Sequence, residues 1–114
     1  MSESALTVVP QNMVAVAGGA QVVLNCTTGI AQEYTQISWT FIDNHDLIVR
    51  SWSVWDWNPL YSVSYSLNGN CDLIITSPIT TAIAGLYACT ETYSGEIASA
   101  QVIIIGENSL AVGL

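Results

Sequence analysis

Apolar and polar residues alternate along most of this chain, and turn residues interrupt the alternation at intervals of about eight to twelve positions. Successive side chains of a β-strand point to opposite faces, so the pattern predicts short strands with one face buried. After the turn at Gly18-Gly19, for example, Val22, Leu24 and Cys26 share one face. No stretch shows a helical period of useful length, and the sequence therefore predicts an all-β fold.

The strands predicted from this pattern span residues 6–9, 13–17, 21–28, 36–43, 47–52, 61–67, 71–76, 85–92 and 97–105. Pro10 lacks a backbone donor, so we expect the chain to break there and to change sheets. Asn68-Gly69 is a hairpin signal, and 43–46 is a cluster of turn residues. Short strands separated by turns in this way are typical of a β-sandwich.

Length and hydropathy predict a single domain with short tails. Its 114 residues fit one domain, which we expect over 5–106, with an N-terminal tail at 1–4 and a C-terminal tail or linker at 107–114. No stretch reaches the roughly 18 apolar residues that a membrane helix needs. The first four residues do not resemble a signal peptide, so the chain looks like a piece of a longer secreted or membrane-anchored protein.

The charge balance excludes two classes of partner. The chain has no lysine, one arginine (Arg50) and nine acidic residues, for a net charge of −8. Binding to nucleic acid or to anionic lipid requires lysine and arginine, so we expect no nucleic-acid partner and no direct membrane contact from this segment. Only 9 % of the residues are charged, so the sheet faces must be covered mostly by uncharged side chains, which tolerate desolvation at an interface.

Five motifs follow one another in a fixed order along the chain. They are Gly18-Gly19 before Val23-Leu24-Asn25-Cys26, then Ile37-Ser38-Trp39, Leu73-Ile74-Ile75, Gly85-Leu86-Tyr87-Ala88-Cys89, and Gly95 before Ala100-Gln101-Val102-Ile103-Ile104. Together they resemble the immunoglobulin superfamily over about residues 10–105.

This resemblance implies an immunoglobulin-like two-sheet Greek-key β-sandwich. It also implies a disulfide between Cys26 and Cys89, a buried Trp39 packed on that disulfide, Leu73 in the core, and a corner tied down by Tyr87. Because a disulfide persists in an oxidising compartment, it implies an extracellular location in a secreted or cell-surface protein.

The subclass implied by the resemblance is variable-type or intermediate-type, because the separation of the two cysteines leaves room for an extra edge strand. Two features depart from antibody variable domains. Ile83 stands where the family usually has the aspartate of an ion pair, and the last strand lacks a Phe-Gly-x-Gly bulge. The short turn at 93–96 is more similar to that of an adhesion-type domain.

Two further residues, Cys71 and Asn25, are candidates for covalent modification. Cys71 has the same strand parity as Leu73 and Ile75, which favours a buried, inert thiol, although an additional or intermolecular disulfide stays open. Asn25-Cys26-Thr27 satisfies the N-glycosylation sequon, and Asn25 alternates with the cysteine and so points outward. We expect Asn25 as a glycosylation candidate, with an unused sequon as the alternative.

Strand parity also predicts an interface. It places seven uncharged residues on the outer face of the sheet that contains Trp39, and they are Thr40, Ile42, Leu86, Ala88, Thr90, Ile103 and Ile105. The interface expected from them includes Thr40, Ile42, Ala88 and Ile103. Since a monomeric domain usually carries charges on such a face, we expect it to be covered by a protein partner. The competing explanation is that the rest of a longer parent chain covers it.

Four aromatic residues lie close together on one loop and its flanking strand. They are Trp52, Trp55, Trp57 and Tyr61. Exposed aromatic side chains are enriched at binding hot spots, so we expect at least one of them to anchor a partner. The alternative is that one or two fold down to cap the sandwich.

The sequence offers little chemistry for catalysis. His45 is the only histidine, and its neighbours Asp43 and Asp46 lie in the turn cluster, where we expect them to cap backbone amides. No serine is marked by a nucleophile motif, zinc ligands are too few, and a calcium site from Asp43, Asp46 and Asp56 fits no loop spacing. We therefore expect no enzyme, no metal and no cofactor.

These observations predict an extracellular recognition or adhesion module. It would bind another protein by homophilic or like-domain association through the outer face of the Trp39 sheet, with a homodimer as one form. One alternative is an invertebrate-type immune receptor variable domain that binds ligands through the loops at 30–36, 56–61 and 93–96. Another is a structural spacer in a multi-domain ectodomain.

Overall fold

Ten strands are present in the residues that the computed structural model describes, which are 6–54, 59–76 and 79–106. They are β1 (Thr7–Val9), β2 (Asn12–Val16), β3 (Val22–Thr27), β4 (Ile37–Phe41), β5 (Asp46–Arg50), β6 (Ser53–Val54), β7 (Tyr61–Tyr65), β8 (Asn70–Ile75), β9 (Gly85–Glu91) and β10 (Ile97–Ile105). One sheet has the order β1-β3-β8-β7, and the other has the order β2-β10-β9-β4-β5-β6. The predicted all-β, two-sheet sandwich is confirmed, and both predicted tails lie outside the described residues.

The change of sheet at Pro10 is confirmed. Before the proline, β1 pairs with β3 in the four-stranded sheet, and after it β2 runs parallel to β10 in the six-stranded sheet. The Val9–Pro10 peptide bond is cis. Because proline cannot donate to a ladder, the strand ends here, and the chain crosses to the other sheet instead of continuing along the first.

Several predicted strands are shorter in the structure than the alternation suggested, and two of them end early for a clear local reason. The strand predicted over 36–43 ends at Phe41, because Ile42–Asn44 form a single 3-10 turn that closes on His45 in the left-handed region. The strand predicted over 47–52 ends at Arg50, where Ser51 and Trp52 both have positive φ and reverse the chain into β6. Among the described residues, no helix has the length and apolar character needed to span a membrane.

The core lies between the sheets and is built by the predicted alternation. Inward positions of the central strands are buried, and those of β3, β4 and β8 are Val22, Leu24, Cys26, Ile37, Trp39, Phe41, Cys71, Leu73 and Ile75. Cys26 and Cys89 form a disulfide that joins the two sheets, with their Cα atoms 6.5 Å apart. The two cysteines are 63 positions apart in the sequence. In the loop-entropy model, closing a chain segment of this length stabilises the fold by about 4 kcal/mol.

Trp39 connects the two sheets a second time. It lies opposite Cys89 in the β4–β9 pairing, and its indole Nε1 donates a hydrogen bond of 3.1 Å to the carbonyl oxygen of Cys71 in the other sheet. The side chain is completely buried, so this donor would otherwise lose its water partner without replacement. The buried tryptophan that the resemblance implied is therefore present.

Tyr87 fixes the connection that precedes β9, as the resemblance implied. Its hydroxyl donates to the carbonyl oxygen of Ile83 at 2.7 Å, it lies 3.2 Å from the hydroxyl of Tyr61, and its ring stacks on Phe41. Burial raises the pKa of the Tyr87 phenol above its usual value, so the hydroxyl keeps its proton and acts as a donor. Ile83 is itself buried, so an apolar side chain fills the place where the family usually has an ion pair.

The Tyr87 network can be tested by removing one oxygen atom. Tyr87→Phe leaves the buried Ile83 carbonyl and the Tyr61 hydroxyl short of a partner, so we expect a loss of about 1–3 kcal/mol in the free energy of unfolding. Chemical denaturation monitored by tryptophan fluorescence measures it. Tyr65→Phe is the matched control, because Tyr65 is exposed on β7, and it should change the free energy by less than about 0.5 kcal/mol. Equal effects of the two substitutions would contradict this account.

Cys71 is a free, fully buried thiol beside the disulfide. It is the direct cross-strand partner of Cys26 in the β3–β8 pairing. Burial, reinforced by the nearby Asp72 carboxylate, raises its pKa to about 12 against an opposing hydrogen bond from Trp39. The interpretation as a buried thiol therefore holds in the structure.

This thiol should be unreactive in the folded protein. With a pKa of about 12, about one thiol in ten thousand is ionised at pH 8, and thiolate is the reactive form. Labelling with a coloured disulfide reagent should detect no thiol in the native protein and one thiol per chain after unfolding without reductant. Rapid labelling of the native protein would show that Cys71 is accessible, and Cys71→Ala supplies the zero-label control.

Candidate binding face

The outer side of the six-stranded sheet is assembled from rows of paired residues. The central row crosses four strands, because Ser99 pairs with Ala88, Ala88 with Thr40, and Thr40 with Leu47. Paired residues point to the same side of a sheet, so these four side chains lie next to one another. Three of the four are small, which keeps the middle of this surface flat.

Parallel rows extend the same surface on both sides of the central row. We call the whole surface the front face, and its members are Asn12, Val14, Val16, Ser38, Thr40, Leu47, Leu86, Ala88, Thr90, Ile97, Ser99, Gln101, Ile103 and Ile105. Their inward-pointing neighbours, such as Val102 and Tyr87, are in the core. The front face is therefore the solvent-facing side of strands whose other side packs in the core.

The front face is almost free of charge and partly apolar. Strands β2, β4, β9 and β10 contain one charged residue, Glu91, and its side chain is buried on the other side of the sheet. Val14, Ile97, Ile103 and Leu47 are exposed on the front face. Covering such a surface removes apolar area from water without stripping the hydration shell of an ion, so desolvation opposes binding only weakly.

The structure places the predicted strand residues of the interface as follows. Thr40 and Ile103 lie on the front face, Thr40 partly buried and Ile103 exposed. Ala88 also points outward, but it is only 5 % exposed because its small side chain lies below those of its neighbours. Ile42 lies beyond the end of β4, in the 3-10 turn, and is half-buried.

Two of the four candidate aromatic anchors, Trp52 and Tyr61, are buried, each 8 % exposed, which agrees with the alternative that one or two of them fold down to cap the sandwich. Trp52 has a φ of 73°, and this left-handed turn directs its indole inward, where Nε1 donates to the carbonyl oxygen of Thr35 at 3.1 Å. Tyr61 begins β7 with its side chain inward, against Tyr87. Trp55 and Trp57 lie outside the described residues.

Three exposed apolar members of the front face were missed among the expected interface residues. Ile97 has the same parity as Ile103 along β10, so strand alternation alone could have identified it. Val14 reaches the front face through the parallel pairing of β2 with β10, which no local pattern reveals. Leu47 points outward because the β4–β5 register shifts next to Thr40, which leaves Ile48 and Val49 buried in succession.

The sequon residue lies on the opposite surface of the molecule. Asn25 is half-buried on the outer side of the four-stranded sheet, and its amide Nδ2 donates to the carboxylate of the cross-strand residue Asp72. Burial raises the pKa of Asp72, and the hydrogen bond from Asn25 opposes that shift. Glycosylation of Asn25 stays a prediction.

The described residues contain no group of three or more histidine, cysteine, aspartate or glutamate side chains placed to hold a metal ion. His45, the sole histidine of the sequence, is exposed at the end of its 3-10 turn. The prominent feature of the described surface is the front face, whose uncharged residues are suited to contact with another protein.

Comparisons with known proteins identify the architecture. No protein-family model matches the sequence, and no curated protein matches it. Among solved structures, one chain of the complex of Dpr1 IG1 bound to DIP-eta IG1 superposes with a TM-score of 0.72 at 16 % identity, over 90 % of this chain and 91 % of that chain. The ZIG-8 IG1 homodimer gives a TM-score of 0.72 at 15 % identity, over 92 % of this chain and 84 % of that chain.

A third solved structure contains more than this domain. In the complex of Dpr11 IG1 with the two-domain DIP-gamma, the match has a TM-score of 0.72 at 17 % identity and covers 83 % of this chain but 47 % of that chain. This chain therefore spans about half the length of that match. The inter-sheet disulfide, the buried Trp39, the Tyr87 corner and these superpositions agree, and the chain has an immunoglobulin-like fold.

Proposed function

We propose that this chain is an extracellular recognition or adhesion domain that binds a second copy of itself or a similar immunoglobulin domain through its front face. One observation carries the proposal: the four strands that form most of this surface place no charged side chain on it. The net charge of −8 is therefore carried by other parts of the chain.

The dimensions of the front face suit a small protein–protein interface. Strands lie about 4.8 Å apart, so the five strands from β2 to β5 span about 20 Å. At about 3.3 Å per residue, the length of β10 gives about 30 Å in the other direction. The resulting area of about 600 Å² is close to the 800 Å² or so that each partner buries in a standard interface.

The flatness of the central row favours a partner that is itself a sheet. Ser99, Ala88 and Thr40 are small, so another sheet could approach them closely, while Ile103, Ile97 and Leu47 around them supply apolar contact. Two copies packed in this way would form an isologous interface, in which the same patch contributes from both sides.

The solved structures of similar fold support the class of partner. The ZIG-8 IG1 domain forms a homodimer, ZIG-8 and RIG-5 form an IG1–IG1 heterodimer, and Dpr1 IG1 binds DIP-eta IG1. Each of these pairs joins one immunoglobulin domain to another. The Cys26–Cys89 disulfide supports the location, because such a bond is maintained in the oxidising environment outside the cell.

The proposal can be tested by sedimentation equilibrium from about 10 μM to about 1 mM, a range that detects dissociation constants down to weak adhesion affinities. We expect the weight-average mass of the wild-type chain to rise from that of a monomer toward that of a dimer. Ile103→Asp should shift the association to at least about tenfold higher concentration, because it buries an unpaired charge. Thr40→Asp should act in the same direction.

Val23→Asp is the matched control. It introduces the same charge at an exposed, β-branched position on the outer side of the other sheet, so it changes the net charge without touching the front face. A wild-type chain that stays monomeric throughout this range would contradict self-association. Association weakened equally by Val23→Asp and Ile103→Asp would show that net charge, and not the front face, controls it.

A further inference from the structure

One stretch of β10 has no neighbouring strand on one side, within the part of the chain that the structure describes. On its other side β10 pairs with β9 over residues 97–102, but β2 runs beside it only over residues 101–105. The preceding strand, β1, does not continue the line of β2, because it pairs with β3 in the other sheet. Residues 97–100 of β10 therefore form an exposed sheet edge, which we call the open edge.

The pairing with β2 shows which backbone groups point into the open edge. The N–H of Gln101 donates a hydrogen bond of 2.8 Å to the carbonyl oxygen of Gln11, just before β2. Successive residues of a strand direct their backbone groups to opposite edges, so Ile97 and Ser99 face the same way as Gln101. Both residues are exposed, and no strand among the described residues pairs with them on that side.

A slot of about 440 Å³ runs along the open edge, between β10 and β1. Its inner wall is apolar, because Val8 and Ala100 are buried and Leu6 and Ala98 pack against the core. None of the described residues that line the slot is charged. The two alanines are small, which leaves room beside them for the side chains of a bound segment.

Hydrogen bonds fix the slot at both ends. At one end Gln101 donates to Gln11, and at the other end the N–H of Leu6 donates to the carboxylate of Glu96 at 2.8 Å. Between these two points, residues 6–11 and residues 96–101 run beside each other without forming a ladder, since β1 pairs with β3. The gap is therefore part of the fold, and its length is about that of four extended residues, or about 13 Å.

The open edge lacks the features that usually prevent an exposed edge from pairing with another strand. Such features are charged side chains, prolines, bulges or a covering segment. Residues 97–100 contain no charge and no proline, and their register with β9 is regular. They also belong to the longest of the described strands. An edge of this kind is suited to pair with an extended backbone.

We propose that the open edge binds an extended segment of a partner protein as an added β-strand. The N–H and C=O groups of that segment would bond to those of Ile97 and Ser99, whose two-residue spacing an extended backbone matches. Every second side chain of the segment would enter the slot, whose apolar wall and limited depth favour valine or alanine. The ligand is thus an uncharged, extended peptide with small apolar residues at alternate positions.

The open edge and the front face recognise different things. The front face contacts the side chains of another sheet, whereas the open edge bonds to the backbone of a single strand. The adjoining half of the same edge already holds a strand, because β2 pairs there with residues 101–105. A bound segment would lie in line with β2, so binding requires no rearrangement of either sheet.

The test is a titration of the isotopically labelled chain with the uncharged peptide acetyl-Thr-Val-Ser-Val-Thr-amide, followed by amide hydrogen exchange in NMR spectra. In the free chain, we expect the amides of Ile97 and Ser99 to exchange at least about tenfold faster than those of the two alanines beside them, which face β9. Near saturation the peptide should slow the exchange of Ile97 and Ser99 at least about tenfold. We expect a dissociation constant in the millimolar range for so short a peptide.

Methylation of the peptide backbone separates recognition of the backbone from contact with side chains. The amides of successive peptide residues face opposite edges of the added strand. Methylating the two valine nitrogens therefore removes one set of donors, and methylating the nitrogens of the serine and the last threonine removes the other. One of these peptides should bind at least about tenfold more weakly than the parent, and the other within about twofold.

Substitutions in the chain locate the binding. Ser99→Pro removes a donor from the open edge and should weaken peptide binding at least about fivefold, while the fold tolerates it because that N–H faces away from β9. Ser99→Ala is the matched control, since it removes the hydroxyl but keeps the donor, and its loss should not exceed about twofold. Ala98→Leu fills the slot and should weaken binding at least about fivefold, so the test remains decisive if Ser99→Pro does not fold.

Several results would overturn this assignment. Slow exchange of Ile97 and Ser99 in the free chain would show that another part of the chain already covers the edge. Equal binding of the two methylated peptides would remove the role of the backbone. Protection of the same amides on raising the concentration of the chain without peptide would assign the edge to a second copy. Ile103→Asp should leave peptide binding unchanged, so failure here and failure of the front-face proposal can be told apart.

Discussion

The covalent and hydrogen-bonded connection between the two sheets is the constraint on which the rest of this domain depends. The Cys26–Cys89 disulfide joins β3 to β9, and the indole of Trp39 on β4 reaches the backbone of Cys71 on β8. These two links hold the central strands at a fixed spacing. Once that spacing is set, the inward side chains must fill a gap of fixed width, and most of them are fully buried.

The surfaces available for recognition follow from this packing. Alternate residues of β4, β9 and β10 are committed to the core, so the residues between them form the front face without disturbing the fold. The loops at one end of the sandwich are held by hydrogen bonds to a buried side chain. The buried carboxylate of Glu91 accepts from three backbone N–H groups and organises the β9–β10 turn, which places Tyr93 at the rim of a pocket.

Local sequence patterns correctly predicted the burial of residues whose orientation depends only on alternation within their own strand. The inward residues of β3, β4 and β8, the break at Pro10, and the roles of Trp39 and Tyr87 all agree with expectation. The inward position of Trp52 has a specific cause that the pattern does not indicate. Trp52 occupies a left-handed turn, and a positive φ is not an expected conformation for a bulky side chain, so nothing in the alternation indicates that its indole turns inward.

The sequence by itself determined the short strands and the uncharged character of the outward positions, because alternation is a local property of each strand, while the disulfide partners were implied by the resemblance to the immunoglobulin superfamily. The tertiary structure alone decided which strands lie side by side. It brought Val14 of β2 beside Ile103 of β10 and shifted the β4–β5 register so that Leu47 faces outward. It also gathered Tyr34, Glu91 and Tyr93 into one pocket, since residues so distant in sequence meet only when the sheets have packed.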